Sequence, residues 1–333
     1  MAKIGVIQID GKLPNLALMK IAAYHAARGD EVERYAGPLF HQEYEKVYAS
    51  KLFKFTEMPE LPDDVILGGT GINWDGRLPE DIDETDPAGG WFLYQNYHHH
   101  IGFSEIGCRF ECAFCCVPEK DGKPRDAGTV ARLLTNPKGE NRLNLLDDDF
   151  FGQKGWQDKC DEILELKLRV CFSQGLNIRV ITKAQAEYLA RIDFWALKFK
   201  GKKVTFAWDQ FKDAKLIRRG WDKCMEAGIK PGNMQFFVLI GFDTTPEQDM
   251  FRVMTLRDWG ARPYVMCFDR TDPYQRKFQS WVNGGPTFWG VLWEDYRSSE
   301  YKANQKAMRV ADNYSGSMWD EDELAYDEGS ALV

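Results

Sequence analysis

Cysteine is absent from the first 107 residues of this 333-residue chain, and the eight that follow do not have the spacing of a disulfide framework. That distribution excludes a small secreted scaffold stapled by disulfides and suits a reducing compartment. Long apolar runs are missing too: none approaches the ~20 residues that a membrane-spanning helix requires. Met1-Ala2-Lys3 leads into a short strand rather than a signal peptide, so the expectation is a soluble, cytoplasmic protein with no membrane partner. Positive charge is in deficit, with 43 Lys and Arg against 51 Asp and Glu and a net charge of −8. This argues against a general nucleic-acid-binding surface. Much of the acid lies between Trp319 and Glu328, where a solvated or disordered end is expected. What the chain has in quantity is core-forming material, 44% hydrophobic and 14% aromatic. Its length allows one large α/β domain and a small one.

Against that scarcity the run Gly107-Cys108-Arg109-Phe110-Glu111-Cys112-Ala113-Phe114-Cys115 stands out. Its C-x3-C-x2-C spacing supplies three thiolates, one short of the four protein ligands that an iron–sulfur cluster ordinarily takes. A cubane held this way keeps one iron open for another ligand. Two other readings exist. Positions i, i+4 and i+7 share a helix face and would suit a buried stripe of small residues. Zinc would use the same thiols but normally wants four ligands and paired C-x2-C. Gly107, Pro118 and the polar run Glu119 to Pro124 describe a loop, which favours the cluster over the stripe. Cys116 points away from its neighbour.

The elements around this loop alternate between strand and helix. Strands are expected at Ile4–Ile9, Glu31–Tyr35, Lys46–Ala49 and Val65–Leu67, with a helix from Asn15 to Arg28 that stops at Gly29. This order predicts a Rossmann-like open, mostly parallel sheet over residues 1–90. Gly68-Gly69-Thr70-Gly71 reads as a tight turn or as backbone able to approach a ligand, and Trp74–Gly90 as a linker. From residue 95 to 275 six more strands are expected, at 100–104, 143–146, 169–173, 204–207, 236–240 and 264–268. The helices between them are 129–134, 156–168, 184–192, 214–227 and 246–259. That is the order of a partial (β/α)6 barrel, with working residues in the loops at the strands' C-terminal ends. The cysteine run falls in the first such loop. Residues 276–333 are read as a C-terminal extension. Within it Trp281–Trp293 suits core packing, and Tyr274, Arg276 and Trp281 are candidates for the substrate side.

On these residues the chain resembles the radical SAM superfamily. The resemblance rests on His100 to Pro118, with echoes at Leu145–Phe150, Phe172–Arg179, Phe206–Asp209, Phe237–Phe242 and Pro263–Met266, and it covers about residues 95 to 270. It is nearest to the branch with an N-terminal cobalamin-binding-type domain and to the methylthiotransferase core. The resemblance implies a [4Fe–4S] cluster on Cys108, Cys112 and Cys115 that binds S-adenosylmethionine and cleaves it reductively to a 5′-deoxyadenosyl radical. It also implies a flavodoxin- or ferredoxin-type electron donor and a small-molecule, nucleoside or peptide substrate. Cofactor contacts follow by position. Phe114 lies against the adenine region, and Asp147 meets the methionyl ammonium, with Asp148 and Asp149 as competitors. Gln174 and Arg179 meet the ribose or the carboxylate, which a guanidinium binds through both oxygens. Asp209 ends the fourth barrel strand at the same mouth, and Gly241 brings backbone to the adenine.

The departures narrow this expectation. The first domain lacks the three further cysteines of the methylthiotransferases. Its first βα loop, Asp10 to Asn15, lacks the histidine of cobalamin-dependent relatives, so it is expected to be a degenerate cobalamin-type domain. Cys160, Cys171, Cys224 and Cys267 show no paired spacing for an auxiliary cluster. His98-His99-His100 cannot all meet one ion, because neighbouring strand residues face opposite ways. A radical SAM enzyme is the leading reading. A cobalamin-dependent methyltransferase and a non-catalytic iron–sulfur or zinc protein are the alternatives.

Overall fold

The computed structural model describes residues 1–296; the acidic segment Trp319–Glu328 lies outside them. The chain opens with an all-parallel sheet of order β2-β1-β3-β4, formed by β1 (Lys3–Gln8), β2 (Glu31–Arg34), β3 (Lys46–Ser50) and β4 (Ile66–Gly68). Residues of β1 alternate between its two faces. Val6 packs with Leu18, Ile21 and Ala22 of α1 (Leu16–Ala27), while Ile7 joins Val47, Ala49 and Val65. Helix α1 starts where the Asn15 side chain accepts the Leu18 N–H at 3.1 Å, an N-cap that satisfies one otherwise orphaned donor.

The glycines after β4 have a packing reason. Gly69 has φ +95°, and a Cβ there would lie 2.3 Å from the Lys51 carbonyl oxygen; at Gly71 one would lie 2.7 Å from the Phe53 carbonyl oxygen. The loop is pressed onto the backbone that follows β3, with Gly71 N–H donating to Lys51 O at 2.9 Å. The segment read as a linker is also packed. Ile82 of α2 (Glu80–Asp83) is buried in the α1 core. The 3-10 turns of Pro87–Tyr94 lie along α1 so closely that a Cβ on Gly90 would meet Met19 O at 2.5 Å. Met19, Trp91 and Ile101 share one buried cluster, so the core continues from the first sheet into the next strand.

That strand is β5 (His100–Gly102), the edge of a second all-parallel sheet of order β10-β9-β8-β5. A two-residue ladder of β6 (Glu105–Ile106) and β7 (Arg125–Asp126) follows β5. The α3 turn (Val117–Lys120) lies between those two strands in sequence. Next come β8 (Arg142–Leu145), α4 (Trp156–Glu165), β9 (Arg169–Phe172), α5 (Lys183–Arg191) and the short β10 (Asp193–Phe194). The expected helix at 129–134 is only a 3-10 turn, Ala131–Leu133. The sequence Thr135-Asn136-Pro137 follows it, and a residue before proline avoids the α conformation. Strand β10 is too short to carry an alternation pattern.

A third parallel sheet, β11-β12-β13, holds β11 (Val204–Ala207), β12 (Met234–Ile240) and β13 (Arg262–Cys267). All seven residues of the central β12 are buried, as expected for a strand covered on both faces. Helices α6 (Ala214–Glu226), α7 (Pro246–Asp258) and α8 (Pro273–Asn283) accompany it. A reciprocal capping box between Thr245 and Gln248 starts α7. Trp281, Phe288 and Trp293 pack ring against ring with centroids 5.1–5.4 Å apart, an aromatic core.

The chain is thus mixed α/β with parallel sheets. Its described residues fall into two compact units: Met1–Leu176 with Tyr188–Lys202, and Asn177–Glu187 with residues 203–296. Among the described residues no helix is long and apolar enough to cross a membrane.

Two glycine substitutions separate backbone strain from overlap. Gly29 has φ +86°, and a Cβ added there would find nothing within 4 Å, so Gly29→Ala should cost about 1 kcal/mol. Gly69→Ala adds overlap with Lys51 and should cost about 2–4 kcal/mol. Urea unfolding measured at one pH compares them, and equal costs would contradict the close approach.

Candidate functional site

The cysteine segment is an excursion between β6 and β7, which pair antiparallel as Glu105↔Asp126 and Ile106↔Arg125 and close its base. Gly107 enters it at φ +93°, where a Cβ would stand 2.6 Å from Lys123 O and 2.7 Å from Gly122 O. Only glycine lets the two ends approach so closely. Cys108 N–H then donates to Gly122 O at 2.9 Å, and Cys115 N–H to Cys112 O at 2.9 Å. The Cys108 Sγ accepts the Phe110 N–H at 3.4 Å. All four cysteines of the loop are half-buried. Burial pushes the Cys108 thiol up to about 12 and the Cys115 thiol up to about 11. The three thiols share one loop without converging: among the described residues no three His, Cys, Asp or Glu side chains are gathered closely enough to hold an ion. As a donor set three thiols fit a soft centre such as iron–sulfur or zinc. Loading would draw the thiols together and release their protons.

Asp147, Asp148 and Asp149, immediately after β8, turn back onto this loop in register. Asp147 accepts the Ser104 N–H at 2.7 Å through one oxygen and the Ser104 hydroxyl through the other. Asp148 accepts the Gly107 N–H at 2.8 Å. Asp149 accepts the Arg109 N–H at 3.4 Å and grips the Arg109 guanidinium, Nε at 2.7 Å and Nη2 at 3.1 Å. Glu105 reciprocates, its Oε1 accepting the Asp149 N–H at 2.8 Å. Glu105 is fully buried and its Oε2 has no hydrogen-bond partner. Burial pushes its carboxyl up to about 8, with the neighbouring aspartates adding to the rise. The same desolvation raises Asp147 to about 7 and Asp148 to about 6, against the pull of the loop's N–H groups.

The other expected contacts are placed as follows. Phe114 is half-buried within the loop, and Gln174 is half-buried in the turn after β9. Asp147 and Gln174 therefore stand at the same, carboxyl edge of the second sheet. Arg179, Asp209 and Gly241 belong to the other unit. Arg179 donates to Asn177 Oδ1 at 3.1 Å and pairs with Asp213 at 2.8 Å. Asp209 accepts the Leu239 N–H at 3.3 Å, and burial raises its carboxyl to about 6. Gly241, at φ +79°, has the Gln275 side chain where a Cβ would go, its nearest atom at 2.2 Å from that point.

Glu105, Arg109 and Arg252 escaped the sequence reading. Arg252 is fully buried on α7 and donates to Trp208 O, Asp209 O and Leu239 O at 2.8–2.9 Å and to Asp249 at 2.6 Å. It ties the carboxyl ends of β11 and β12 together. Nothing in a helical arginine's spacing announces such a role, whereas a glutamate at the end of the apolar run Ile101–Ile106 was a readable signal. The three histidines diverge: His98 is exposed, His99 stacks on Phe199 with centroids 4.6 Å apart, and buried His100 accepts the Asn136 N–H through Nδ1 at 3.1 Å.

In the first sheet the strand order reverses between β1 and β3, the usual ligand crevice of such a sheet. Its own chain fills it. Asp10 accepts the N–H groups of Leu52 and Phe53 at 2.6 and 2.9 Å, and Asn15 Nδ2 donates to Ser50 Oγ at 2.9 Å. These residues do not fit a cobalamin. The post-β4 loop instead reaches the cysteine loop, where Lys120 Nζ donates to Thr70 Oγ1 at 3.5 Å and the Arg77 guanidinium to Lys120 O.

No protein-family model and no curated protein matches the chain. Among solved structures, dihydropteroate synthase from Clostridium difficile in the presence of pteroic acid is similar at 12% identity over 79% of this chain and 74% of that one. Its TM-score is 0.27. A likeness of that size carries no argument about fold or function.

The buried carboxyls set a pH dependence. Glu105 holds a proton in the folded chain up to about pH 8, whereas an unfolded glutamate releases it near ~4.3. Between those values the folded state binds the extra proton, so stability falls as pH rises. Urea unfolding at pH 5 and pH 8 should show the wild type weaker at pH 8. Glu105→Gln, which keeps an acceptor for Asp149 N–H, should lose less over that interval. An unchanged slope in the variant would remove Glu105 as its source.

Proposed function

We propose that the chain is a radical SAM enzyme, a Rossmann-like domain followed by a partial (β/α)6 barrel, with a [4Fe–4S] cluster on Cys108, Cys112 and Cys115. The observation that carries this reading is the placement of the three thiols. They stand on one loop after the first strand of the parallel order β5-β8-β9, at the carboxyl edge where α/β folds build their sites. The consistently parallel pairing of β8 to β10 and of β11 to β13 supports the barrel part of the reading. Cys108, Cys112 and Cys115 would hold the cluster, which would supply the electron for reductive cleavage of S-adenosylmethionine.

The remaining tasks fall to side chains. Gln174 offers an amide to the methionyl or ribose groups from the same sheet edge. Asp147 meets an ammonium only by sharing an oxygen already held by Ser104. Arg179, Asp209 and Gly241, the other expected contacts, belong to the second unit. Phe114 offers the adenine a ring face. The crevice filled by Asp10 speaks against the cobalamin-dependent alternative, and the first sheet is read as support for the cysteine loop through Thr70 and Arg77. A reductant of the flavodoxin or ferredoxin type completes the scheme, and the substrate is a small molecule, nucleoside or peptide.

Protein purified without oxygen, reconstituted with iron and sulfide and given reductant and S-adenosylmethionine should form 5′-deoxyadenosine. Cys112→Ala should form none and should lose its iron. Full iron in the wild type with no nucleoside product would favour a non-catalytic iron–sulfur protein, and retention of zinc in place of iron would favour a structural site. Cobalamin added during purification should not be retained. Stoichiometric retention would reverse the reading of the first sheet.

A further inference from the structure

The cysteine loop is held unevenly. Its root, Ser104 to Arg109, is fixed amide by amide to Asp147, Asp148 and Asp149, while Cys112 and Cys115 lie beyond the last of these bonds. We propose that Asp148 and Asp149 are positioning residues that fix Cys108 in the unloaded protein as the first metal ligand, with Cys112 and Cys115 closing onto it afterwards. This rests on the reading of the loop as a cluster site.

Three features carry the inference. The bonds lie on both sides of Cys108, at Gly107 N–H and Arg109 N–H, so the backbone that sets its Cβ direction is held before and after it. The Arg109 guanidinium donates one hydrogen bond to the Asp149 carboxylate, from Nη2 at 3.1 Å, and stands against it as an ion pair with Nε at 2.7 Å, so the backbone bond at Arg109 is backed by a charge-assisted one. Finally, Glu105 binds the Asp149 N–H from within the core. Root and clamp therefore hold each other through bonds that run in both directions. The order of closure follows from entropy, because a ligand inside the clamped root costs less ordering when the metal arrives than thiols outside it.

The test uses the full-length, iron-free chain. Alkylation of each thiol by iodoacetamide is followed by mass spectrometry, with amide hydrogen exchange of residues 104–109 alongside. In Asp148→Ala, and likewise in Asp149→Ala, Cys108 should react about tenfold faster and the Gly107 or Arg109 amide should lose protection, the loss of one hydrogen bond to a charged acceptor. Cys112 and Cys115 should change by less than about twofold. Asp148→Asn keeps an oxygen for the Gly107 N–H and should restore the wild-type rate. On addition of ferrous iron and sulfide, thiolate-to-iron charge-transfer absorption should develop more slowly in the alanine variants and normally in Asp148→Asn. Unchanged Cys108 reactivity, or equal acceleration of all three thiols, overturns the inference. Should Asp148→Ala fail to fold, Arg109→Ala frees the same root at a side chain that is 33% exposed. If the wild type takes up no iron while Cys108 still answers to Asp148, the clamp stands and the cluster reading beneath it falls.

Discussion

Buried backbone N–H groups must find acceptors, and at the start of the cysteine loop that requirement is met by side chains instead of strands. Beyond Gly102 the chain leaves the second sheet, and the three carboxylates after β8 take over as partners for Ser104, Gly107 and Arg109. Burial makes ionisation of these acids costly and raises the Asp147 and Asp148 carboxyls, with the charge of Asp148 adding to the rise at Asp147 and that of Asp121 to the rise at Asp148. The arrangement holds because each acid answers N–H groups that would otherwise go unpaired. Everything proposed for this protein depends on that exchange, since it places a thiol loop at the carboxyl edge of a parallel sheet.

The first sheet makes sense in the same terms. A doubly wound sheet ordinarily leaves space at the point where its strand order reverses; here Asp10 closes the gap by binding the amides that follow β3. Glycines at 69 and 71 then let the next loop lie against those same residues, and that loop carries Thr70 to the back of the cysteine loop. The Asp10 bonds tie the first βα loop to the backbone that follows β3. The domain's shared core with β5, through Met19, Trp91 and Ile101, carries the same support directly to the strand that leads into the thiols.

Much of the fold was legible because apolar runs bounded by glycine, proline and capping residues set the strands and helices. The expected strands at 100–104, 143–146, 169–173, 204–207, 236–240 and 264–268 each overlap an observed one. The expectations that failed were those that depend on tertiary partners. Trp74–Gly90 looked like a linker because Asp, Pro and Gly are common in it, yet its glycine at position 90 serves to approach Met19. That the cysteine run lies in a loop was legible from Gly107 and the polar run Glu119 to Pro124 that bound it. The partners of Asp148 and Asp149 were not, since an aspartate after a strand reads equally as a helix cap, a ligand contact or a clamp until the loop facing it is seen. Arg252 was hidden for the same reason: its spacing suits a solvent face, and only the converging carbonyls of Trp208, Asp209 and Leu239 explain why it is buried.

The difference between root and tip also bears on why three thiols on a single loop can suffice. Ligands brought from distant elements arrive with their geometry fixed by the fold, and their number is set by what packing allows. Ligands on one short loop arrive with almost none, and a metal must organise them against chain entropy. Here the clamp removes part of that cost at Cys108 while the β6–β7 ladder keeps both ends of the excursion together. As donors the thiols suit a soft, thiophilic centre, whereas a hard oxygen-seeking cation such as magnesium prefers oxygen ligands.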